Sequence, residues 1–327
     1  MRLILLAFSL ICLFGCNELK YNYMNGKVFG TYYSVVYRSD KSLDSAIIMQ
    51  MRKVDNSLSI FNPNSTISKI NNSLESETDS LMDIILPVAL NVYTATNGAF
   101  DMTVGKLVNA WGFGYRNEEI PSQAKIDSLL RFTGMDKLHI ETGKVVKNNE
   151  AVELDGGAIA KGLGVDLVAE YLESMGVENY MVDIGGEVRV KGESEKRRKW
   201  RIGIDKPQDN LATREISVLL QLSEGALATS GNYRNFYTKD GKKYAHTIDP
   251  RTGQPVQTDI ISSTVYAKSC MIADAYATAF MVMGLDKSYK LVEADTALEA
   301  CFMYEQNDTV KIRMTEGFKK LVLKDVY

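Results

Sequence analysis

The sequence predicts an α+β fold in which mixed or largely antiparallel sheets are flanked by helices. From residue 179 onward, short segments rich in β-branched residues follow one another with few helices between them, which argues against a regular parallel α/β fold. Segments with the periodicity of amphipathic helices occur in both halves of the chain. The 327 residues, 45% hydrophobic and 24% charged, indicate a globular protein of about two domains or one large domain.

The first half is expected to begin with one strand followed by two helices. Residues 27–37 are β-branched and aromatic, which favours a strand. Helical periodicity predicts a helix over 42–58, followed by a turn-rich loop. A second helix is predicted over 79–95, and the Asn97-Gly98 pair after it is a typical C-cap signal.

The second half is expected to place two helices among many short strands. A helix over 158–175 ends at Gly176, and Ser269 caps a further helix that runs through Met283. The remaining apolar segments are bounded by turn residues and predict strands at 138–140, 152–154, 180–184, 188–190, 200–204, 216–222, 260–267, 300–304 and 310–313.

The N-terminus has the form of a secretory signal that ends in a lipid-attachment site. Arg2 precedes an apolar run over 3–14 that is too short to span a membrane. The Leu-Phe-Gly-Cys segment that ends at Cys16 is similar to a bacterial lipobox. We expect a lipid-anchored protein on the periplasmic side of a bacterial membrane, and a cleaved signal without lipid is the alternative. The expected signal peptide, lipid anchor with tether, and folded domain cover residues 1–15, 16–26 and 27–327.

Charge and the scarcity of metal-binding residues exclude some classes of protein. The formal net charge is -3, and the longest basic run covers only 196–199, so we expect no nucleic-acid binding. No Cys-x-x-Cys pair occurs, and the only histidines are His139 and His246, which argues against a zinc site. Cys270 and Cys301 remain in the folded domain, where they form either a disulfide or two buried thiols.

A glycine-containing motif over 155–162 lies between an expected strand and an expected helix. Backbone N–H groups at such a junction favour a phosphate, and Lys161 adds a positive charge. The motif lacks the Gly-Lys-Ser/Thr of a P-loop and the glycine spacing of a dinucleotide-binding fingerprint. A tight turn that binds no ligand is the alternative interpretation.

Asp274 and Thr278 are four residues apart, so their side chains share one face of a predicted helix. The small and apolar residues around them indicate that this face is packed, and a buried carboxylate needs a partner. Carboxylate and hydroxyl oxygens suit Mg²⁺, which commonly bridges the phosphates of a substrate. The alternative is a surface aspartate beside a threonine that bonds to its own helix backbone.

His246 closes an expected strand before a loop rich in proline and glycine, and it is a candidate general base. A purely structural histidine is the alternative. Glycines and aromatic residues cluster at 98–101 and 111–114, as a planar ligand requires, although a helix-end turn with core aromatics has the same composition. Ser230 has no partners with the spacing of a Ser-His-Asp site and is interpreted as a turn residue.

Taken in order, these segments resemble the ApbE family of flavin transferases, the FAD:protein FMN transferases. The resemblance covers Val28 to Leu298, nearly all of the expected folded domain. The ordered series is specific because many short motifs match together, whereas any single motif would be weak. The matching blocks are 29–31, 65–71, 98–101, 155–162, 184–186, 229–231, 246–256, 273–278 and 283–284.

The resemblance implies an ApbE-type (T-fold-like) α+β fold with an FAD cleft between two halves. It implies an enzyme that cleaves FAD between its phosphates and releases AMP. The FMN would pass to a Ser or Thr hydroxyl of a target flavoprotein, such as a subunit of a membrane redox complex. His246 would deprotonate that hydroxyl, and Mg²⁺ would be bound by Asp274, Thr278 and the carbonyl group of Ala158. The FAD site would be lined by Phe29, Phe61, Ala99, Phe100, Asp101, Asp155, Lys161 and Ile248.

Two positions depart from the family pattern. Phe29 stands where the family usually has methionine, and Asp183 replaces the more common asparagine. The resemblance implies that the aromatic side chain of Phe61 favours transfer over hydrolysis. The alternatives that stay open are an Mg²⁺-dependent FAD pyrophosphatase with water as the acceptor, and a flavin-binding lipoprotein without catalysis. A generic solute-binding lipoprotein would require two similar α/β lobes, which the strand-rich second half does not suggest.

Overall fold

The computed structural model describes residues 19–73, 75–114, 120–207, 215–232, 236–239, 242–307 and 309–325. Its strands are β1 (Lys20–Val28), β2 (Thr31–Ser39), β3 (Glu75–Glu77), β4 (Leu138–Glu141), β5 (Lys144–Lys147), β6 (Tyr180–Ile184), β7 (Glu187–Lys191), β8 (Trp200–Asp205), β9 (Ile216–Leu222), β10 (Glu224–Gly231), β11 (Phe236–Lys239), β12 (Lys242–Ala245), β13 (Ile260–Ala267), β14 (Glu299–Gln306), β15 (Thr309–Met314) and β16 (Val322–Asp325). Its helices are α1 (Asp44–Leu58), α2 (Thr66–Asn71), α3 (Ser80–Ala95), α4 (Gly105–Ala110), α5 (Gln123–Leu130), α6 (Ala160–Ser174), α7 (Cys270–Met283), α8 (Leu285–Ala294) and α9 (Glu316–Lys319), with a 3-10 turn at Met135–Lys137.

A large antiparallel sheet organises the described part of the chain, in the order β1-β2-β6-β7-β10-β13-β14-β15. Alternate residues of its strands face the core, so that Tyr180, Val182 and Ile184 of β6 are all fully buried. Smaller antiparallel sheets have the orders β16-β9-β8, β3-β5-β4 and β11-β12. The prediction of an α+β fold with antiparallel sheets flanked by helices is therefore confirmed.

Helices α6 and α7 form a closely packed pair against one face of this sheet. The alternate alanines of α7 from Ala273 to Ala279 are all fully buried, and such small side chains allow neighbouring backbones to approach. A Cβ atom at Gly162 of α6 would collide with the carbonyl group of Cys270. Glycine at this position therefore sets how closely the two helices approach, and the candidate site lies at their junction.

The opposite face of the sheet packs against β8 and β9 through a separate hydrophobic cluster that includes Trp200, Val218 and Leu220. Cys301 belongs to this cluster, whereas Cys270 belongs to the cluster beneath α6. Both cysteines are buried thiols and no disulfide joins them. The structure thus decides between the two alternatives that the sequence left open.

The strand expected over 27–37 is in fact part of a β-hairpin. The first strand of this hairpin also includes residues that were expected to belong to the tether. Phe29 (φ 51°) and Gly30 (φ 73°) both have positive φ and reverse the chain between β1 and β2. Phe-Gly is a weak turn signal compared with Asn-Gly, so the reversal is hidden in the sequence. Residues 20–26, expected as tether, pair with β2 as most of β1. The expected signal peptide and Cys16 lie outside the described residues.

The predicted helices agree closely with the structure. The Ser269 hydroxyl accepts a hydrogen bond from the backbone N–H of Ile272 at 3.3 Å, and α7 ends at Met283 as predicted. The strand expected at 152–154 is replaced by an isolated bridge between Val104 and Glu153. In the part of the chain that the structure describes, no helix is long and apolar enough to cross a membrane.

Candidate active site

A cleft of about 970 Å³ lies where several strands of the large sheet end, beside the start of α6. Its volume is at the upper end of the range for small-molecule and cofactor sites. Two reversals of the chain line it, one at Phe29-Gly30 and one at Gly185-Gly186. The residues of the sequence prediction that line this cleft are Phe29, Ala99, Phe100, Asp101, Asp155, Ala158, Lys161, His246, Ile248, Asp274 and Thr278.

Phe61 is the predicted site residue that lies outside the lining of this cleft. It follows α1 in the 59–65 loop, and its side chain is 72% exposed. Phe100 lines the cleft but is only 2% exposed and belongs to the main hydrophobic core. These two aromatic residues are therefore in opposite environments, although the family resemblance implies that both line the FAD site.

Asp274 forms the buried floor of the cleft at the junction of α6 and α7. Only 2% of the residue is exposed, and one carboxylate oxygen accepts a hydrogen bond from the backbone N–H of Gly162 at 3.0 Å. The other oxygen lies 3.6 Å from the ammonium nitrogen of Lys161. Because a buried carboxylate requires compensation, these two contacts explain how Asp274 is held in place.

Lys161 also binds Glu187, a residue that the sequence interpretation did not select for the site. The Nζ atom of Lys161 lies 2.7 Å from Oε1 of Glu187, at the start of β7. Burial would lower the pKa of Lys161, but the carboxylates of Asp274 and Glu187 reverse that effect and raise it above its usual value. The ammonium group is therefore fixed in the charged form between two carboxylates.

Glu187 is deeply buried, and only one of its two carboxylate oxygens has a hydrogen-bond partner among the described residues. The residue is 3% exposed, and its Oε2 atom has no hydrogen-bond partner in the described structure. Burial raises the pKa of Glu187 to about 7, against the opposing charge of Lys161. An acidic residue directly after the Gly185-Gly186 turn, which precedes the strand β7, is the sequence signal that could have identified it.

Thr278 lies one helical turn after Asp274 and also lines the cleft. Its hydroxyl oxygen is 3.0 Å from that of Ser230, at the end of β10. Ser230 therefore belongs to the site as a neighbour of Thr278. The oxygens of Asp274, Thr278 and the Ala158 carbonyl are hard donors of the kind that bind Mg²⁺ together with water and substrate phosphates. The donor chemistry fits Mg²⁺, although the described residues contain no cluster of three His, Cys, Asp or Glu side chains suited to a metal.

The glycine-containing motif is a well-supported loop before α6. The carboxylate of Asp155 accepts a hydrogen bond from the N–H of Gly157 at 2.7 Å, and burial raises the pKa of Asp155. The side chain of Asn71 donates to the carbonyl of Leu154 and accepts from its N–H. These contacts fix the loop at the edge of the cleft, close to Lys161.

Asp101 lies on another side of the cleft, after the chain reversal at Asn97 and Gly98. Its carboxylate accepts hydrogen bonds from the backbone N–H and the hydroxyl of Thr103, at 2.7 and 2.6 Å. Burial raises the pKa of Asp101 to about 6, since only 7% of the residue is exposed. Asp101 is therefore a buried acid whose charge depends on pH near neutrality.

His246 follows β12 and lines the cleft from a loop. Its ring contacts that of Phe113 edge to face, with centroids 6.4 Å apart. The indole N–H of Trp111 donates to the carbonyl of Gly253 at 2.7 Å and ties the 246–255 loop to the aromatic segment. His139, by contrast, lies on β4 with 63% of its side chain exposed and does not line the cleft.

By its fold, the chain is an α+β protein of the class formed by the solved flavin transferases. It is similar to the structure titled Flavin Transferase ApbE from Vibrio cholerae, with a TM-score of 0.84 and 34% identity over 93% of this chain and 100% of the other. The apo form of Pseudomonas stutzeri flavinyl transferase ApbE gives a TM-score of 0.84 with 29% identity, over 94% of this chain and 98% of the other.

The chain belongs to the ApbE family, whose model matches residues 29–302. It is 36% identical to the FAD:protein FMN transferase of Vibrio cholerae serotype O1, over 97% of each chain. It is 35% identical to the Haemophilus influenzae protein of the same name, over 93% of this chain and 92% of that one. The resemblance that the sequence motifs suggested is therefore confirmed.

Proposed function

We propose that this chain is an Mg²⁺-dependent FAD:protein FMN transferase that attaches FMN to a Ser or Thr hydroxyl of a target flavoprotein and releases AMP. The observation that supports this most strongly is the convergence of Lys161, Asp274 and His246 on one cleft. These residues come from distant parts of the chain and supply a fixed positive charge, a hard anionic oxygen and a base. Together they provide the groups that phosphoryl transfer from a pyrophosphate requires.

The buried side of the cleft is suited to the pyrophosphate of FAD. Asp274, Thr278 and the carbonyl of Ala158 would hold Mg²⁺, which supplies neutralisation of the phosphate charge. Lys161 presents its ammonium group next to the same position and is held there by Glu187. Because these groups are already oriented before a ligand arrives, little reorganisation opposes charge development in the transition state.

His246 would act on the acceptor hydroxyl from its loop in the lining of the same cleft. As the hydroxyl oxygen forms a bond to the phosphorus atom of FMN, the imidazole takes its proton, and the bond between that phosphorus and the bridging oxygen of AMP breaks. AMP leaves with the bridging oxygen, and FMN remains joined to the acceptor through a phosphoester. The 246–255 loop, fixed through Trp111 and Gly253, holds the base near the reacting atoms.

The remaining predicted residues would bind FAD. Phe29, Ala99, Asp101, Asp155 and Ile248 line the cleft and surround the space available to the dinucleotide. Lipid attachment at Cys16 would hold the enzyme at the periplasmic side of a membrane, near flavoprotein subunits of membrane redox complexes. The form of the N-terminal sequence supports this part of the proposal.

The direct test is mass spectrometry of an acceptor flavoprotein domain after incubation with the chain from residue 17, FAD and Mg²⁺. A mass increase equal to one FMN, abolished by EDTA, is expected, and fragmentation should place it on a Ser or Thr. AMP and free FMN without labelled protein would favour an FAD pyrophosphatase. Bound but unchanged FAD would favour a flavin-binding lipoprotein and contradict the proposal.

A further inference from the structure

An exposed, strongly basic turn connects β7 to β8 at the end of the molecule that the cleft does not occupy. It contains Lys196, Arg197, Arg198 and Lys199, all of them exposed, and no ion pair involves these side chains within the described residues. Backbone bonds between Ser194 and the 197–198 segment close the turn, at 2.8 and 2.9 Å. The four positive charges therefore lie together on a defined turn, and no ion pair within the described residues neutralises them.

The first residues of β1 pack directly against this turn. The hydroxyl of Tyr21 donates to the carbonyl of Glu193, and that of Tyr23 donates to the carboxylate of Glu195, both at 2.7 Å. Leu19 and Tyr23 nevertheless remain 53% and 58% exposed. We call Leu19, Lys20, Tyr21 and Tyr23 together with the basic turn the basic-aromatic patch. It contains five basic residues, the four of the turn and Lys20, against two acidic ones, Glu193 and Glu195.

Strand register places the basic-aromatic patch and the cleft at opposite ends of the same strands. Asn22 of β1 lies in a row that continues through Tyr37 and Tyr180 to Lys191, next to the basic turn. The other ends of these strands lead to the Phe29-Gly30 and Gly185-Gly186 reversals, which line the cleft. Since six residue steps of β1 lead from this row to Val28, the two ends are about 20 Å apart.

We propose that the basic-aromatic patch binds the anionic surface of a lipid bilayer and orients the enzyme with its cleft facing away from the membrane. Clustered lysine and arginine side chains are attracted to anionic lipid head groups, and tyrosine favours the membrane–water interface. The patch lies where the chain leads back toward Cys16, so a lipid there and the patch would contact the same surface. A basic patch beside a lipid anchor is a typical second signal for membrane attachment.

This orientation rests on the membrane location in the proposed function and adds a geometric requirement for the partner. The cleft would stand about 20 Å above the lipid head groups, given the part of β1 that separates it from the patch. An acceptor hydroxyl must therefore be presented at that height, on a domain that projects from the membrane.

Vesicle co-sedimentation tests the proposal with the chain from residue 17, which contains every described element but lacks Cys16. We expect binding to vesicles of phosphatidylcholine with phosphatidylglycerol, weak binding to phosphatidylcholine alone, and release by added salt. The double variant Lys196→Gln/Arg198→Gln should bind about thirtyfold more weakly, since each basic residue near an anionic surface contributes about 1 kcal/mol.

The matched control is Lys287→Gln/Lys290→Gln, which removes the same charge from exposed positions on α8. It should change vesicle binding by less than about twofold, because these lysines lie outside the patch. Equal binding to neutral vesicles, or an equal loss in the two double variants, would overturn the proposal. FMN transfer to a soluble acceptor should be normal in both. If transfer fails while vesicle binding persists, the proposed function is wrong and the patch assignment stands.

Discussion

The two sides of the cleft differ in how their functional groups are held. The buried wall consists of Lys161, Glu187, Asp274 and Thr278. The loop wall consists of Asp101, Phe113, His246 and Ile248. On the buried wall, close helix packing and mutual charge pairing fix every acidic and basic group. On the loop wall, contacts within and between loops hold the groups, such as the bond from Trp111 to Gly253 and the bonds from Thr103 to Asp101.

In the proposed function, this difference would assign charge stabilisation to the buried wall and proton transfer to the loop wall. Fixed charges are most effective when they need not reorganise during the reaction, which suits a wall built from packed helices. His246, as the proposed base, would act from a loop, the kind of segment that often carries functional residues on a rigid scaffold. The comparison predicts that substitutions in the buried wall reduce turnover most. Substitutions in the loop wall should reduce turnover less, and their effect on turnover should be separable from any effect on FAD affinity.

The largest effect is expected for Asp274→Ala in the buried wall. Loss of the carboxylate should remove the Mg²⁺ dependence and lower turnover at least about a thousandfold, because the charge on the transferred phosphate is no longer neutralised. Steady-state release of AMP measures this. Asp286→Ala is the matched control, an exposed aspartate on α8. Full activity of Asp274→Ala would show that the assignment of the metal site is wrong.

His246→Ala in the loop wall should slow FMN transfer about a hundredfold to a thousandfold while leaving FAD affinity largely intact. Transfer followed by mass spectrometry and FAD binding followed by fluorescence separate the two quantities. His139→Ala, which alters the exposed histidine of β4, serves as the control. A loss of FAD binding in His246→Ala would instead identify His246 as a ligand contact and remove the proposed contrast between the walls.

Asp101 should make the stability of the protein depend on pH. Burial raises its pKa from 3.8 to about 6, so the folded chain holds a proton that the unfolded chain has lost between these values. The free energy of unfolding should therefore fall as the pH rises through this window, by at most about 3 kcal/mol. Asp101→Asn keeps an acceptor for Thr103 and should flatten the profile. Urea unfolding at several pH values measures the slope, and an unchanged slope in the variant contradicts the assignment.

Gly162→Ala tests whether packing positions the buried wall. The added Cβ would collide with the carbonyl of Cys270 and should cost about 1–3 kcal/mol of stability, together with lower turnover from a displaced Asp274. The control is Gly156→Ala, where the nearest atom to a Cβ lies 3.7 Å away. Thermal unfolding compares the two. Equal stability of both variants would mean that the α6–α7 approach is adaptable.

The smallest effect is expected for Phe61→Ala. Its side chain is 72% exposed and lies outside the cleft lining, so FAD affinity should change less than about twofold. Fluorescence titration with FAD measures this directly, and Tyr23→Ala, another exposed aromatic substitution far from the cleft, is the control. A tenfold loss would show that the 59–65 loop contacts the flavin in the complex and adds a third element to the site.

Local sequence signals predicted much of the fold. Ser269 and Gly284 bracket α7, and the apolar segment over 260–267 coincides with β13. Such elements are predictable because capping and periodicity depend on residues near in sequence. The hairpin at Phe29-Gly30 was missed, since its reversal lies within a continuous β-branched and aromatic segment and lacks a strong turn signal.

The sequence alone determined the family, the antiparallel α+β class and the identity of most residues that line the cleft, because each motif has a recognisable local pattern. Only the tertiary structure decided their partners. Glu187 acquires its contact because the sheet brings β7 against Lys161, and Phe61 lies outside the cleft lining because its loop leaves it exposed. Burial and long-range pairing arise between segments distant in sequence, so no local pattern records them.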